Sequence, residues 1–127
     1  MASVLTERPL WLLIALMGCG SGGDHAGGSG GAGVTEDPRT MTEICAAYCD
    51  NASAHGCESE LTFGGSCQDS CNIPAPGDSA ECAIAWKNHT ACLADVPNVC
   101  DAQVRDAYCL DAYCRMRRAC DLPDPKC

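Results

Sequence analysis

The sequence predicts a small, mainly α-helical, disulfide-rich domain carried behind a flexible glycine-rich tether. Three observations predict it. Cysteines recur at helical spacing, as in Cys45/Cys49 and Cys67/Cys71, and positions four apart share one face of a helix. Helix-start signals precede the cysteine-bearing stretches. No run of useful length alternates apolar and polar residues as a half-buried strand does.

The chain divides into three parts. Residues 1–18 carry an apolar run from Leu10 to Met17, too short to cross a bilayer, which takes about twenty residues. It has the length of a signal peptide's apolar core. Leu16, Gly18 and Cys19 resemble the processing box of bacterial lipoprotein signals. That resemblance implies a signal peptide over 1–18, a diacylated Cys19 and attachment to a membrane through that lipid. Met17 departs from the small residue usual at its position, and Glu7 offsets Arg8. An ordinary signal peptide cleaved nearby, leaving Cys19 as a lone thiol, is the alternative. Residues 19–37 then form the tether, with eight glycines between Gly20 and Gly33. Such composition describes a flexible spacer, spanning on the order of 20–25 Å as a random coil.

The cysteine-rich domain is expected over residues 38–127. Thr40-Met41-Thr42-Glu43 reads as a capping box, followed by Ile44, Tyr48 and Ala52 at helical spacing. Asp78-Ser79-Ala80-Glu81 opens a further helix that places Cys82, Ala85, Trp86, His89, Cys92 and Leu93 on one face. Asp101 caps a last segment, along which Cys109, Tyr113, Met116 and Cys120 align. Breakers separate the segments at Gly64-Gly65, Pro74-Ala75-Pro76-Gly77 and Pro97-Asn98. Large apolar residues are sparse: Ile44, Leu61, Phe63, Ile73, Ile84, Trp86, Leu93, Val96, Val99, Val104, Leu110 and Leu122, with Met41, Met116 and three tyrosines. A core so poor is marginal on burial alone, and small exported domains compensate with disulfides.

Thirteen cysteines are an odd number. Setting Cys19 aside as a lipid attachment point leaves Cys45, Cys49, Cys57, Cys67, Cys71, Cys82, Cys92, Cys100, Cys109, Cys114, Cys120 and Cys127, which can pair completely. Two antiparallel helices bridged along their cysteine stripes join outer to outer and inner to inner, giving Cys45–Cys71 and Cys49–Cys67. Cys82 and Cys92 are about 15 Å apart along a helix, and Cys109 and Cys120 about 16 Å. The matching lengths give Cys82–Cys120 and Cys92–Cys109. Cys57, Cys100, Cys114 and Cys127 are left without an order.

The layout of short leader, Gly18-Cys19, Gly/Ser tether, C-x3-C, a further cysteine and a second C-x3-C resembles the cysteine-rich lipoproteins of myxobacterial-type genomes. The resemblance implies an extracytoplasmic, lipid-anchored position at the outer membrane or periplasmic face and a similar fold, and no activity. The C-x3-C twins are also similar to the helical hairpins of the small mitochondrial Tim chaperones. Cys57 between the twins breaks that pattern, and the chaperone role does not carry over.

No catalytic signature is present: no H-E-x-x-H, no G-x-S-x-G, no phosphate-binding glycine loop. The chain is therefore read as a non-enzyme without cofactor. No C-x-x-C occurs, which sets aside the zinc and redox motifs built on that spacing. A net charge of −9 opposes nucleic-acid binding, which depends on neutralising phosphates. His89 with Asp95 or Asp50 is a conceivable base; a histidine without special role is the simpler reading. Asn51-Ala52-Ser53 and Asn88-His89-Thr90 match the glycosylation sequon by chance. Tyr108, Trp86 and the Arg115-Met116-Arg117-Arg118 cluster are candidate interaction residues. The function expected is a membrane-anchored binding or structural module. The alternative is a soft-metal store, in which i, i+4 cysteines hold copper or zinc as thiolates. That arrangement resembles the bacterial copper-storage proteins. Cys57, Cys100 and Cys127 at turns argue against it.

Overall fold

The computed structural model describes residues 34–62 and 64–127; the leader, Cys19 and most of the tether lie outside the described residues. Four α-helices and one 3-10 turn make up the domain, and no strand occurs among the described residues. Helix α1 (Met41–Ala54) starts at the expected capping box, with Thr40 and Glu43 exchanging side-chain-to-backbone hydrogen bonds. A 3-10 turn (Glu58–Glu60) follows. Helix α2 (Cys67–Cys71) is barely longer than one turn and is capped by Ser66. Helix α3 (Ala80–Asp95) is capped by Ser79, and α4 (Ala102–Ala119) by Asp101, whose carboxylate accepts the N–H groups of Gln103 and Val104. Arg117 and Arg118 close α4 in its last turn, where cations favour the helix dipole.

Helix α3 packs against both α1 and α4, while α2 packs on α1. Four bridges join the helices in the order that the spacing predicts. Cys45–Cys71 and Cys49–Cys67 tie α1 to α2, and Cys82–Cys120 and Cys92–Cys109 tie α3 to α4. The two bridges with no sequence-based order are Cys57–Cys100 and Cys114–Cys127. The first fastens the turn after α1 to the turn before α4. The second folds the C-terminal segment back along α4.

The interior differs from the expected one. Of fifteen buried core residues among those described, seven are cysteines and four are alanines. Only Ile44, Val96, Val99 and Met116 represent the larger apolar residues there. Ile73 and Leu110, expected in the core, are exposed at 48% and 39%. The reason is geometric: bridged helices approach closely, with Cα–Cα distances of 4.6 Å at Cys82–Cys120 and 5.8 Å at Cys92–Cys109. So close an approach leaves space for sulfur and alanine methyls rather than for leucines. The staples therefore also serve as packing, since a buried cystine behaves as a small hydrophobe.

Residues 34–37, read from sequence as the end of the tether, are bound to the domain. Asn88 on α3 accepts the N–H of Asp37 at 2.8 Å and donates to the carbonyl of Thr35 at 3.0 Å. Lys87 pairs with Glu36 at 2.7 Å. Arg39 bridges Asp37 and Asp95 at 2.9 and 2.8 Å. The compact unit accordingly begins before Pro38.

Candidate functional site

A groove of about 230 Å³ runs between α3 and α4. Its lining includes Leu93, Cys109, Leu110 and Tyr113, with His89, Arg105, Asp106 and Lys126 as the ionisable groups. The helical register explains the grouping. His89 and Leu93 are four apart on α3, while Arg105, Cys109 and Tyr113 follow at steps of four on α4, with Asp106 and Leu110 four apart beside them. The Cys92–Cys109 bridge holds the two faces together. Lys126 arrives from the C-terminal segment, which four contacts fix in place. Arg117 donates to the carbonyls of Leu122 and Pro123 at 2.9 and 2.7 Å, Tyr113 donates its hydroxyl to Asp124, and Lys126 pairs with Asp106 at 3.0 Å.

His89 is half-buried with its ring tilted against Tyr113, the centroids 5.4 Å apart. Its ring nitrogens take no hydrogen bond from the described residues. Burial pushes its pKa down to about 4, because a desolvated imidazole resists the charged form. The Tyr113 hydroxyl is shifted up, first by its bond to Asp124, and Asp124 is shifted down by the same bond. The Arg117 guanidinium lies 5.7 Å from the centroid of the Tyr113 ring.

Arg105 stands apart from the other cations of the groove. Its Nη1 donates to the carbonyl of Val99, and it forms no ion pair among the described residues. Lys126, by contrast, has its counter-charge in Asp106. The groove thus carries one uncompensated positive charge inside a chain of net charge −9.

Several expected site residues are placed elsewhere. His89 lies with Tyr113 and not with Asp95, which pairs with Arg39, and no hydrogen bond joins it to Asp50. His55 caps the end of α1, its Nδ1 2.9 Å from the carbonyl of Asn51. Both sequon asparagines are structural clasps. Asn88 holds residues 35–37, and Asn51 holds the α3–α4 connection through Val96 and Val99. Trp86 is not an exposed contact residue. It packs with Cys82, Met116 and Cys120, and its buried Nε1 has no hydrogen-bond partner among the described residues. Tyr108 is 64% exposed, as an interaction residue requires. The arginine cluster is divided by its own contacts: Arg115 pairs with Asp111 and Arg117 serves the C-terminal carbonyls. Arg105 escaped the sequence reading, since nothing in the sequence distinguishes it from Arg39, Lys87 or Lys126, which also stand alone among non-basic residues.

Comparison with family models, with curated proteins and with solved structures finds no match for this chain. What the domain does must therefore be argued from its own residues. Its six disulfides belong to an oxidising, extracytoplasmic environment. No described helix is long and apolar enough to cross a membrane. No cluster of three or more histidine, cysteine or acidic side chains suited to a metal ion occurs among the described residues.

Proposed function

We propose that this chain is a membrane-anchored, extracytoplasmic binding module, attached through lipid on Cys19 and stapled by its disulfides. The supporting observation is that the bridges use every cysteine from Cys45 to Cys127, so that Cys19 is the one left over for another role. The glycine-rich tether then sets the domain off the membrane surface. The rigid domain presents its α3–α4 groove to whatever the module binds, and no enzymatic step is assigned to it. A soft-metal store needs thiolates, and twelve paired cysteines offer none. The architecture therefore favours the binding module.

The test combines mass and lipid labelling. The full chain is expressed in a bacterial host that exports it, and is fed an alkyne fatty acid. A domain twelve protons light, without alkylatable thiols, and a label lost in Cys19→Ala are the expected results. Free thiols protected by copper would overturn the reading in favour of metal storage, and a label that survives Cys19→Ala would sink the anchor.

A further inference from the structure

We infer that the α3–α4 groove binds a small aromatic carboxylate, with Arg105 taking the carboxylate and the ring lying among Leu93, Leu110 and Tyr113. This rests on the binding-module reading and adds the class of ligand.

Three independent features converge on that class. The first is charge. Arg105 is half-buried and its side chain holds a single hydrogen bond among the described residues, to the Val99 carbonyl, in a chain whose acids outnumber its bases seventeen to eight. A guanidinium offers five donors in a planar fork that matches a carboxylate. Asp106 does not occupy it, because that carboxylate is engaged by Lys126 at 3.0 Å. The second is the apolar wall. Leu110 is 39% exposed and lines the groove. Leu93, the Cys109 sulfur and the Tyr113 ring continue the same surface. The third is His89, which stays neutral well below pH 7 and leaves its nitrogens to a ligand. A neutral imidazole can donate to the second carboxylate oxygen without a desolvated charge of its own.

Size narrows the ligand further. A closed cavity of about 150 Å³ already holds benzene, so a groove of 230 Å³ has room for one ring and its carboxylate. Inorganic phosphate would satisfy Arg105 and leave the apolar wall uncovered. An uncharged ring would cover the wall and leave the guanidinium without a partner.

The experiment is an NMR titration of the exported, fully oxidised chain, reading the His89 and Tyr113 ring resonances. Benzoate is the probe, with benzyl alcohol and inorganic phosphate as controls. Saturable shifts with benzoate at a dissociation constant below about 1 mM, and at least tenfold weaker binding of both controls, are expected. Arg105→Gln, checked for its six bridges by intact mass, weakens benzoate roughly tenfold or more, as loss of a charged hydrogen bond does. Leu110→Ala, which alters only an exposed side chain, weakens it by a smaller factor. Failure of benzoate to saturate overturns the ligand class, as do equal binding by either control and an unaffected Arg105→Gln. A chain with six bridges that ignores benzoate leaves the binding module standing, whereas a chain with free thiols brings down that module reading itself.

Discussion

The side-chain oxygen of Asn51 accepts the backbone N–H of Val99 at 3.1 Å, across forty-eight residues of sequence. Its amide nitrogen donates in turn to the carbonyls of Val96 at 2.6 Å and Ala94 at 3.3 Å. One side chain on α1 thereby satisfies the turn between α3 and α4. Val99 is fully buried and Val96 nearly so, so water does not readily replace what Asn51 supplies. Asn51→Ala should destabilise the oxidised domain by about 2 kcal/mol, the cost of leaving a buried N–H unpaired. Urea unfolding without reductant measures it. A loss below about 0.5 kcal/mol, within the scatter of surface substitutions, would show that the clasp is dispensable.

Stability should fall as pH drops from 6.5 through about 4, the ordinary and folded values for His89. Between them the unfolded chain holds a proton on this imidazole that the folded chain does not, so acid favours unfolding. Burial of the ring is the cause, since a desolvated imidazole resists the charged form; Arg105, Asp106 and Lys126 line the same groove. The full effect is about 3 kcal/mol. His89→Gln should flatten this part of a stability-versus-pH curve. A wild-type slope that persists unchanged in the variant would assign the titration to another group.

Asp37 gives a second, more acidic step. The Arg39 side chain and backbone hold its carboxyl down at about 2. Its contribution is present above the ordinary value of 3.8 and is lost as pH falls through about 2. Amide exchange at residues 35–39 should therefore accelerate only at pH below His89's window. Acceleration already at pH 5 would mean that the strap depends on some other group.

The disulfides should be reduced in an order set by access. Cys127 is exposed, whereas both partners of Cys82–Cys120 are buried. A thiolate must reach a sulfur to attack it, so Cys114–Cys127 opens first and Cys82–Cys120 last. Stepwise reduction with mass mapping of alkylated cysteines reads the order directly. Early loss of Cys82–Cys120 would show that the α3–α4 pair opens before its C-terminal segment does.

Thr40→Ala removes one half of the capping box and leaves an orphan N–H at Glu43. A loss of about 1 kcal/mol is expected, with Thr40→Ser retaining most of the stability. Chemical unfolding of the two variants decides it, and equal losses in both would place the effect in the methyl group.

How much of this was legible in advance follows from the range of each interaction. The capping box at Thr40, the cap at Asp101 and the helical cysteine stripes are local patterns, and the helices and four bridges built on them are the expected ones. Helical rise alone relates Cys82 and Cys92 to Cys109 and Cys120, because a rigid ruler translates sequence distance into length. Cys57, Cys100, Cys114 and Cys127 lie at turns or against a C-terminal segment, where no period applies. The groove depends on the same kind of long-range placement. Nothing near Arg105 in sequence says that His89 faces it, or that Lys126 takes up Asp106 and leaves Arg105 unpaired. Asn51 and Asn88 look like sequon matches along the chain and turn out to be clasps between elements.

The sequence by itself determined the helical class, the helix starts and the need for covalent staples, since helix caps, periodicity and a sparse apolar content act within a few residues. Tertiary structure alone decided that cystines and alanines fill the core, which turn cysteines pair, and which charges meet in the α3–α4 groove. Those outcomes depend on how closely bridged helices approach, a distance that local chemistry does not encode.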